Sequence, residues 1–246
     1  MNPQGKIALI TGGARRVGKA ITLALAQAGA KVVVNYNASS AEADSTLAEA
    51  RAFGVDAVAF QADVTNLAQV RAMVNAAIER FGAIDILVNN AATFEKTVLP
   101  TDDVSTWHRV TDILIHGSFN TANTVAPGMI ARGQGIIINI TDLFAWEPRR
   151  GYAAHSVGKA AMLALTRQLA IDFAPNVRVN AVAPGPVLPP PEFSTERMAQ
   201  TASRTLLNRW GTPRDVADTV LFLVRADYIT GEVIVVDGGE RLGRHK

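Results

Sequence analysis

His155 and Lys159 stand four residues apart in a stretch of helical periodicity, so both project from one face. An imidazole that titrates near neutrality beside a lysine ammonium can hold or move a proton at a bound ligand. The same spacing also occurs on solvated helix faces that do no chemistry. Asp142 follows the apolar run at 135–140 (GIIINI) after Thr141, where it is either an acid–base group or the cap of the next turn. A third stretch with chemical potential is KIALITGGARRVGKA at 6–20. Its apolar run at 7–10 breaks at Thr11, Gly12 and Gly13, and helical periodicity opens near Arg16 and stops at Gly29. A strand, a glycine turn and a helix N-terminus present bare N–H groups at the positive end of a helix dipole, which suits a pyrophosphate. The spacing is T-G-x-x-x-R-x-G, with Arg16 where a dinucleotide fingerprint has its middle glycine.

The elements that position these groups follow in order. KVVVN at 31–35 reads as a second buried strand. A carboxylate at its end would accept from ribose hydroxyls and repel a 2′-phosphate. Here Asn35, Tyr36, Asn37, Ala38, Ser39 and Ser40 follow, with no carboxylate before Glu42. Arg15 and Arg16 in the neighbouring turn either pair with a phosphate, favouring NADPH, or are solvated turn residues. A helix at 41–53 and a strand at 56–61 lead to Asp63, which can accept from an adenine amino group, cap the helix expected at 67–81, or do both. The strand at 84–88 ends in Asn89, Asn90, Ala91 and Ala92, small enough for a flat ring to approach the backbone. Phe94 then either stacks on a planar ligand or packs a loop.

A long helical region at 106–130 turns Trp107, Val110, Ile113, Leu114 and Gly117 inward. The helix at 152–173 carries Val157, Ala161, Leu165, Leu169 and Phe173 on one stripe. A strand at 176–182, a proline-rich exit at 183–191 and a polar segment at 192–205 suggest a mobile lid. A helix at 213–224 and a strand at 231–236 close the chain.

The 246 residues suit one α/β domain, and 48% hydrophobic with 19% charged residues excludes a disordered chain. A net charge of +2 without a basic run gives no footprint for nucleic acid. The absence of cysteine excludes disulfide and thiolate chemistry. With neither an apolar signal core nor a spanning run, the expectation is a cytoplasmic protein that does not engage a membrane.

Taken together, TGGARRVG, Asp63-Val64, NNAA at 89–92, IIINI, the Lys159 helix, VRVNAVAPGPV and ITGEVIVVDGG resemble the short-chain dehydrogenase/reductase family over essentially the whole chain. The resemblance implies a Rossmann-like, doubly wound α/β sheet of seven mainly parallel strands in a single domain, 1–246, with a substrate loop at about 186–212. It also implies a homotetramer. Within the family the chain looks most like the pteridine reductase branch. That branch shares the turn arginine (Arg16), the ending at 35–39, an aromatic at Phe94 that stacks on the pterin, and an aspartate at Asp142 in place of serine.

By this resemblance NADPH is held by Gly12, Arg15, Arg16, Val17, Gly18, Asn35, Tyr36, Asn37, Ser39, Asp63, Val64, Asn90, Ala91, Ala92, Lys159, Pro184, Gly185 and Val187. Phe94, Asp142, His155, Pro186 and Leu188 face the substrate, Asp142, His155 and Lys159 do the chemistry, and no metal is expected. The chain departs from the family twice. Its Tyr-x-x-x-Lys is His155-x-x-x-Lys159, with Tyr152 three residues too early, and the family asparagine aligns with Leu114. The expected activity is NADPH-dependent hydride transfer to a planar pteridine C=N bond. A catalytically degenerate NADPH-binding protein and a carbonyl reductase with atypical acid catalysis remain alternatives.

Overall fold

Seven short strands pair in parallel, and their C-terminal ends build one edge of the molecule. A computed structural model describes residues 1–190 and 193–243. The strands are β1 (Ile7–Ile10), β2 (Lys31–Tyr36), β3 (Ala57–Gln61), β4 (Ile86–Asn89), β5 (Gly135–Ile140), β6 (Val177–Pro184) and β7 (Val233–Val236). Their order is β3-β2-β1-β4-β5-β6-β7, with every pairing parallel. β1, β4 and β5 are buried along their whole length, which is why they read as unbroken apolar runs. The chain reverses direction across the sheet between β1 and β4, the place where open α/β sheets bind ligands.

Helices cover both faces. They are α1 (Arg16–Gln27), α2 (Ser40–Arg51), α3 (Leu67–Phe81), α4 (Ser105–Thr111), α5 (Ser118–Ala131), α6 (Ala153–Asp172), α7 (Thr195–Ala202), α8 (Pro213–Arg225) and α9 (Glu240–Gly243). One core layer packs Ile21 and Leu25 of α1 and Val220 and Leu223 of α8 on Ile10 and Ile138. The other packs Val70 and Val74 of α3 and Met129 of α5 on Leu9 and Ile137. No helix among the described residues is long and apolar enough to cross a membrane.

Three local expectations change. α3 is capped by Asn66, whose side chain accepts from the N–H groups of Ala68 and Gln69, while Asp63 folds back onto Thr65. The region at 106–130 is continuous but contains a π segment, Asp112–Gly117, between α4 and α5. Along the apolar stripe of α6, Val157 is 47% exposed, whereas Leu169 is buried and Leu165 and Phe173 pack against the same core. His155, Lys159, Met162 and Thr166 are buried on α6 as well, so the helix packs polar groups as well as apolar ones. Most of the proposed lid is ordered as α7, capped by Ser194 accepting from the Arg197 N–H. Pro191 and Glu192, which belong to the expected exit and lid, lie outside the described residues.

Candidate active site

The glycine turn is fastened from three sides. The Gly12 N–H donates to Asn35 Oδ1 at 3.3 Å and the Gly13 N–H to the Asn35 carbonyl at 3.1 Å. The Asn35 amide donates to the Ala62 carbonyl at 2.9 Å. The Thr11 hydroxyl accepts from the N–H groups of Asn90 and Ala91, and the Asn90 amide donates to the carbonyls of Thr11 and Gly12. Gly12 has φ +59°, open to glycine at no steric cost. A Cβ on Gly18 would collide with the Gly12 carbonyl and lie 2.6 Å from Asn90 Nδ2. Arg15, at the N-cap of α1, makes no side-chain capping bond. The first-turn N–H groups of α1 therefore lack a side-chain cap and can meet an anion. Arg16 takes φ +54°, the backbone shape of the glycine it replaces.

These elements wall a cavity of about 450 Å³. It brings together the predicted Gly12, Arg15, Arg16, Val17, Gly18, Asn35, Tyr36, Asn37, Ser39, Asp63, Val64, Asn90, Ala91, Ala92 and Phe94. Ala14, Ala38, Ala62 and Thr93 also line it, with adjacency to the strand-end motifs as their only sequence signal, and Ile113 reaches it from the helical region at 106–130. An elongated dinucleotide fits this set: bare N–H groups for a pyrophosphate and arginines for a further phosphate. Asn35 is 2% exposed, and its side chain braces the turn from within. Pro184 and Gly185 pack at the sheet edge, where a Cβ on Gly185 would lie 2.7 Å from that of Asp237. Pro186 and Val187 line a separate recess beside β7 and the start of α8, and Leu188 is half-buried at the head of the loop.

Asp142, His155 and Lys159 do not line this cavity; His155 adjoins its Thr93 and Phe94, is 3% exposed and has both nitrogens engaged. Nε2 meets Asp142 Oδ2 at 2.6 Å and Nδ1 meets the Thr93 carbonyl at 3.3 Å. Neither ring nitrogen is therefore left over for a ligand. Asp142 Oδ1 also accepts from the Phe144 N–H, capping a short 3₁₀ turn, so the carboxylate is a cap as well as a site group. The buried Lys159 Nζ donates to the Ile140 carbonyl at 2.7 Å. Burial pushes its pKa below the ordinary lysine value, and the Asp142 carboxylate opposes that shift. Neither side chain lies on a solvated face.

Phe94 stacks on Tyr152 at 4.6 Å between ring centres, and the rings of Phe94 and Phe144 meet His155 in T-shaped contacts at 4.8 and 5.3 Å. Tyr152 thus covers one face of Phe94 from the N-cap of α6. Phe94 remains 54% exposed on the cavity side. Leu114 is fully buried with Val110, Ala154 and Met162, and a Cβ on Gly158 would lie 2.6 Å from its Cδ1. That position is dry and apolar.

Residues 12–240 match the family described as enoyl-(acyl carrier protein) reductase. A 3-oxoacyl-[acyl-carrier-protein] reductase of Synechocystis sp. is 39% identical over 239 residues, covering 95% of this chain and 96% of that protein. The chain belongs to the short-chain dehydrogenase/reductase family. Two solved family structures agree in fold. A gluconate 5-dehydrogenase from Burkholderia cenocepacia, in complex with NADP and tartrate, is 33% identical, with TM-score 0.90 over 97% of this chain and 96% of that one. A blue fluorescent protein from a metagenomic library, in complex with NADPH, is 35% identical, with TM-score 0.89 over 98% and 99%. Membership makes the chain an oxidoreductase of the short-chain type. The finer likeness to the pteridine branch rests on its motifs alone.

Two outcomes follow from this geometry. Gly18→Ala is expected to cost about 2 kcal/mol in denaturant unfolding through overpacking, and to weaken dinucleotide binding in the same sample. Lys159 binds its proton less readily folded than unfolded. In the alkaline window below lysine's ordinary 10.5 the unfolded chain therefore holds more protons, and folding stability rises with pH. Unfolding curves across that window should show this rise in the parent chain and its loss in Lys159→Met.

Proposed function

We propose that the chain is an NADPH-dependent reductase acting on a C=N bond of a small planar heterocycle of the pteridine kind. The observation that carries the reading is the Asp142–His155 pair, standing where the family resemblance places a serine and a tyrosine, with the His155 ring in contact with Phe94. The reduced dinucleotide, when bound, supplies a hydride. Arg15 and Arg16 hold its additional phosphate, and Tyr36, Asn37 and Ser39 border the ribose without a repelling carboxylate. Phe94 offers a ring face to a flat substrate. Asp142 holds the proton at the substrate nitrogen, His155 fixes the carboxylate from behind, and Lys159 keeps its ammonium at the ribose end of the cleft.

A second reading, reduction of a 3-oxoacyl thioester, is favoured by the names of the relatives at 36–39% identity. It requires the Asp142–His155 pair to protonate an alkoxide. Incubating the purified protein with NADPH and either a dihydropterin or an acetoacetyl thioester separates the two. The dihydropterin is expected to drive NADPH oxidation; turnover of the thioester alone selects the second reading. NADPH binding without turnover of either leaves the non-catalytic reading.

Arg16→Gly should relieve the left-handed backbone and leave stability equal or up to about 1 kcal/mol higher. It should also cut the preference for NADPH over NADH by about tenfold through loss of a charge-assisted phosphate contact. Parallel titrations with both cofactors and a melting curve read both effects.

We also propose self-association as a homotetramer. Phe119 and Ile130 on α5 and Val157 and Ile171 on α6 are apolar side chains left exposed. Light scattering should give four chains for the parent and fewer for a Val157→Glu, Ile171→Glu double variant.

A further inference from the structure

The cleft shows acceptors where making an alcohol would call for a donor. This argument rests on the C=N reductase reading. Both nitrogens of His155 are spent, on Asp142 and on the Thr93 carbonyl, and the ring is 3% exposed. Leu114 sits among Val110, Ala154 and Met162, so no side chain relays protons from that position. Of the paired groups, the Asp142 side chain is 22% exposed against 4% for His155. The carboxylate is thus the more accessible partner of the pair. Each carboxylate oxygen can accept a second hydrogen bond beyond those from Phe144 and His155. The His155 ring that Asp142 pairs with meets the Phe94 ring at 4.8 Å, Phe94 lines the cavity, and an aromatic face carries negative potential.

We infer that the substrate enters as a cation: a planar iminium seated between the Asp142 carboxylate and the open face of Phe94. The iminium carbon gains a hydride, with its electron pair, from the reduced nicotinamide, which is oxidised. A C–H bond forms, the C=N π pair becomes the nitrogen lone pair, and the positive charge on the substrate disappears. No proton moves in this step, so neither a phenol nor an asparagine relay is required. A ketone of the same shape would become an alkoxide beside a carboxylate, which the local charge disfavours.

Calorimetric binding to the intact protein, saturated with NADP⁺, tests this without turnover. N-methylisoquinolinium is expected to bind about tenfold more tightly than the neutral, similarly shaped N-methylisoquinolone. Asp142→Asn should bring the two within about twofold while NADP⁺ affinity is kept, and Asp142→Glu should restore part of the preference. With NADPH, N-methyl-dihydroisoquinolinium should be reduced with no solvent deuterium effect on kcat/KM, and tetralone should not be reduced. Equal binding of cation and neutral probe, a preference that survives Asp142→Asn, or tetralone reduced as fast as the iminium overturns the inference. A dihydropterin turned over while the iminium is neither preferred nor reduced overturns it and leaves the reductase reading standing. NADPH binding with no turnover of any of these compounds overturns the reading and the inference together.

Discussion

The site depends on how closely the turn after β1 can approach the end of β4. Gly18 has no room for a Cβ between the Gly12 carbonyl and the Asn90 amide. That contact lets Asn90 satisfy two carbonyls of the turn while Thr11 satisfies two N–H groups of the β4 end. With the turn's own polar groups paired internally, the uncapped N–H groups of α1 remain for an anion. Arg16 accepts an unfavourable backbone shape at the same place. A glycine would fit better, but it would bring no charge.

The opposite end of the cleft follows a different logic. Four groups that would each be costly to bury alone are paired in sequence: the Thr93 carbonyl, His155, Asp142 and the Phe144 N–H. The rings of Phe94 and Phe144 close on His155 within this chain of contacts. The loop that carries Phe94 is held as well. The Thr93 hydroxyl donates to Glu95, Arg109 forks onto Glu95, and the Thr97 N–H donates to the Gly151 carbonyl.

Much of the fold was legible because buried parallel strands are apolar runs and their turns carry glycine, and α3 spans the predicted 67–81. The walls of the dinucleotide cavity were legible for the same reason, since they are strand ends. What was not legible depended on direction. Asn35 lines the cavity and also turns its amide onto the Ala62 carbonyl, a bracing contact that residue type alone does not reveal. Val157, at the head of the α6 stripe, is exposed because polar residues occupy much of the buried face of that helix. The π segment at Asp112–Gly117 is invisible to a helical period, since it changes the winding without changing composition. The stacking of Tyr152 on Phe94 joins residues far apart in sequence, and no local pattern encodes it.

The parallel pairing of β1 with β4 has a kinetic consequence. Ile7 donates to Asp85 across 78 residues, and the cavity has no floor until that pairing closes. Closing so long a loop costs chain entropy before any contact repays it, so this pairing belongs to the slow, late part of folding. A dinucleotide then finds its site only on a chain whose central strands have already met. It stabilises the finished molecule by mass action and slows its unfolding, but it cannot template the early steps.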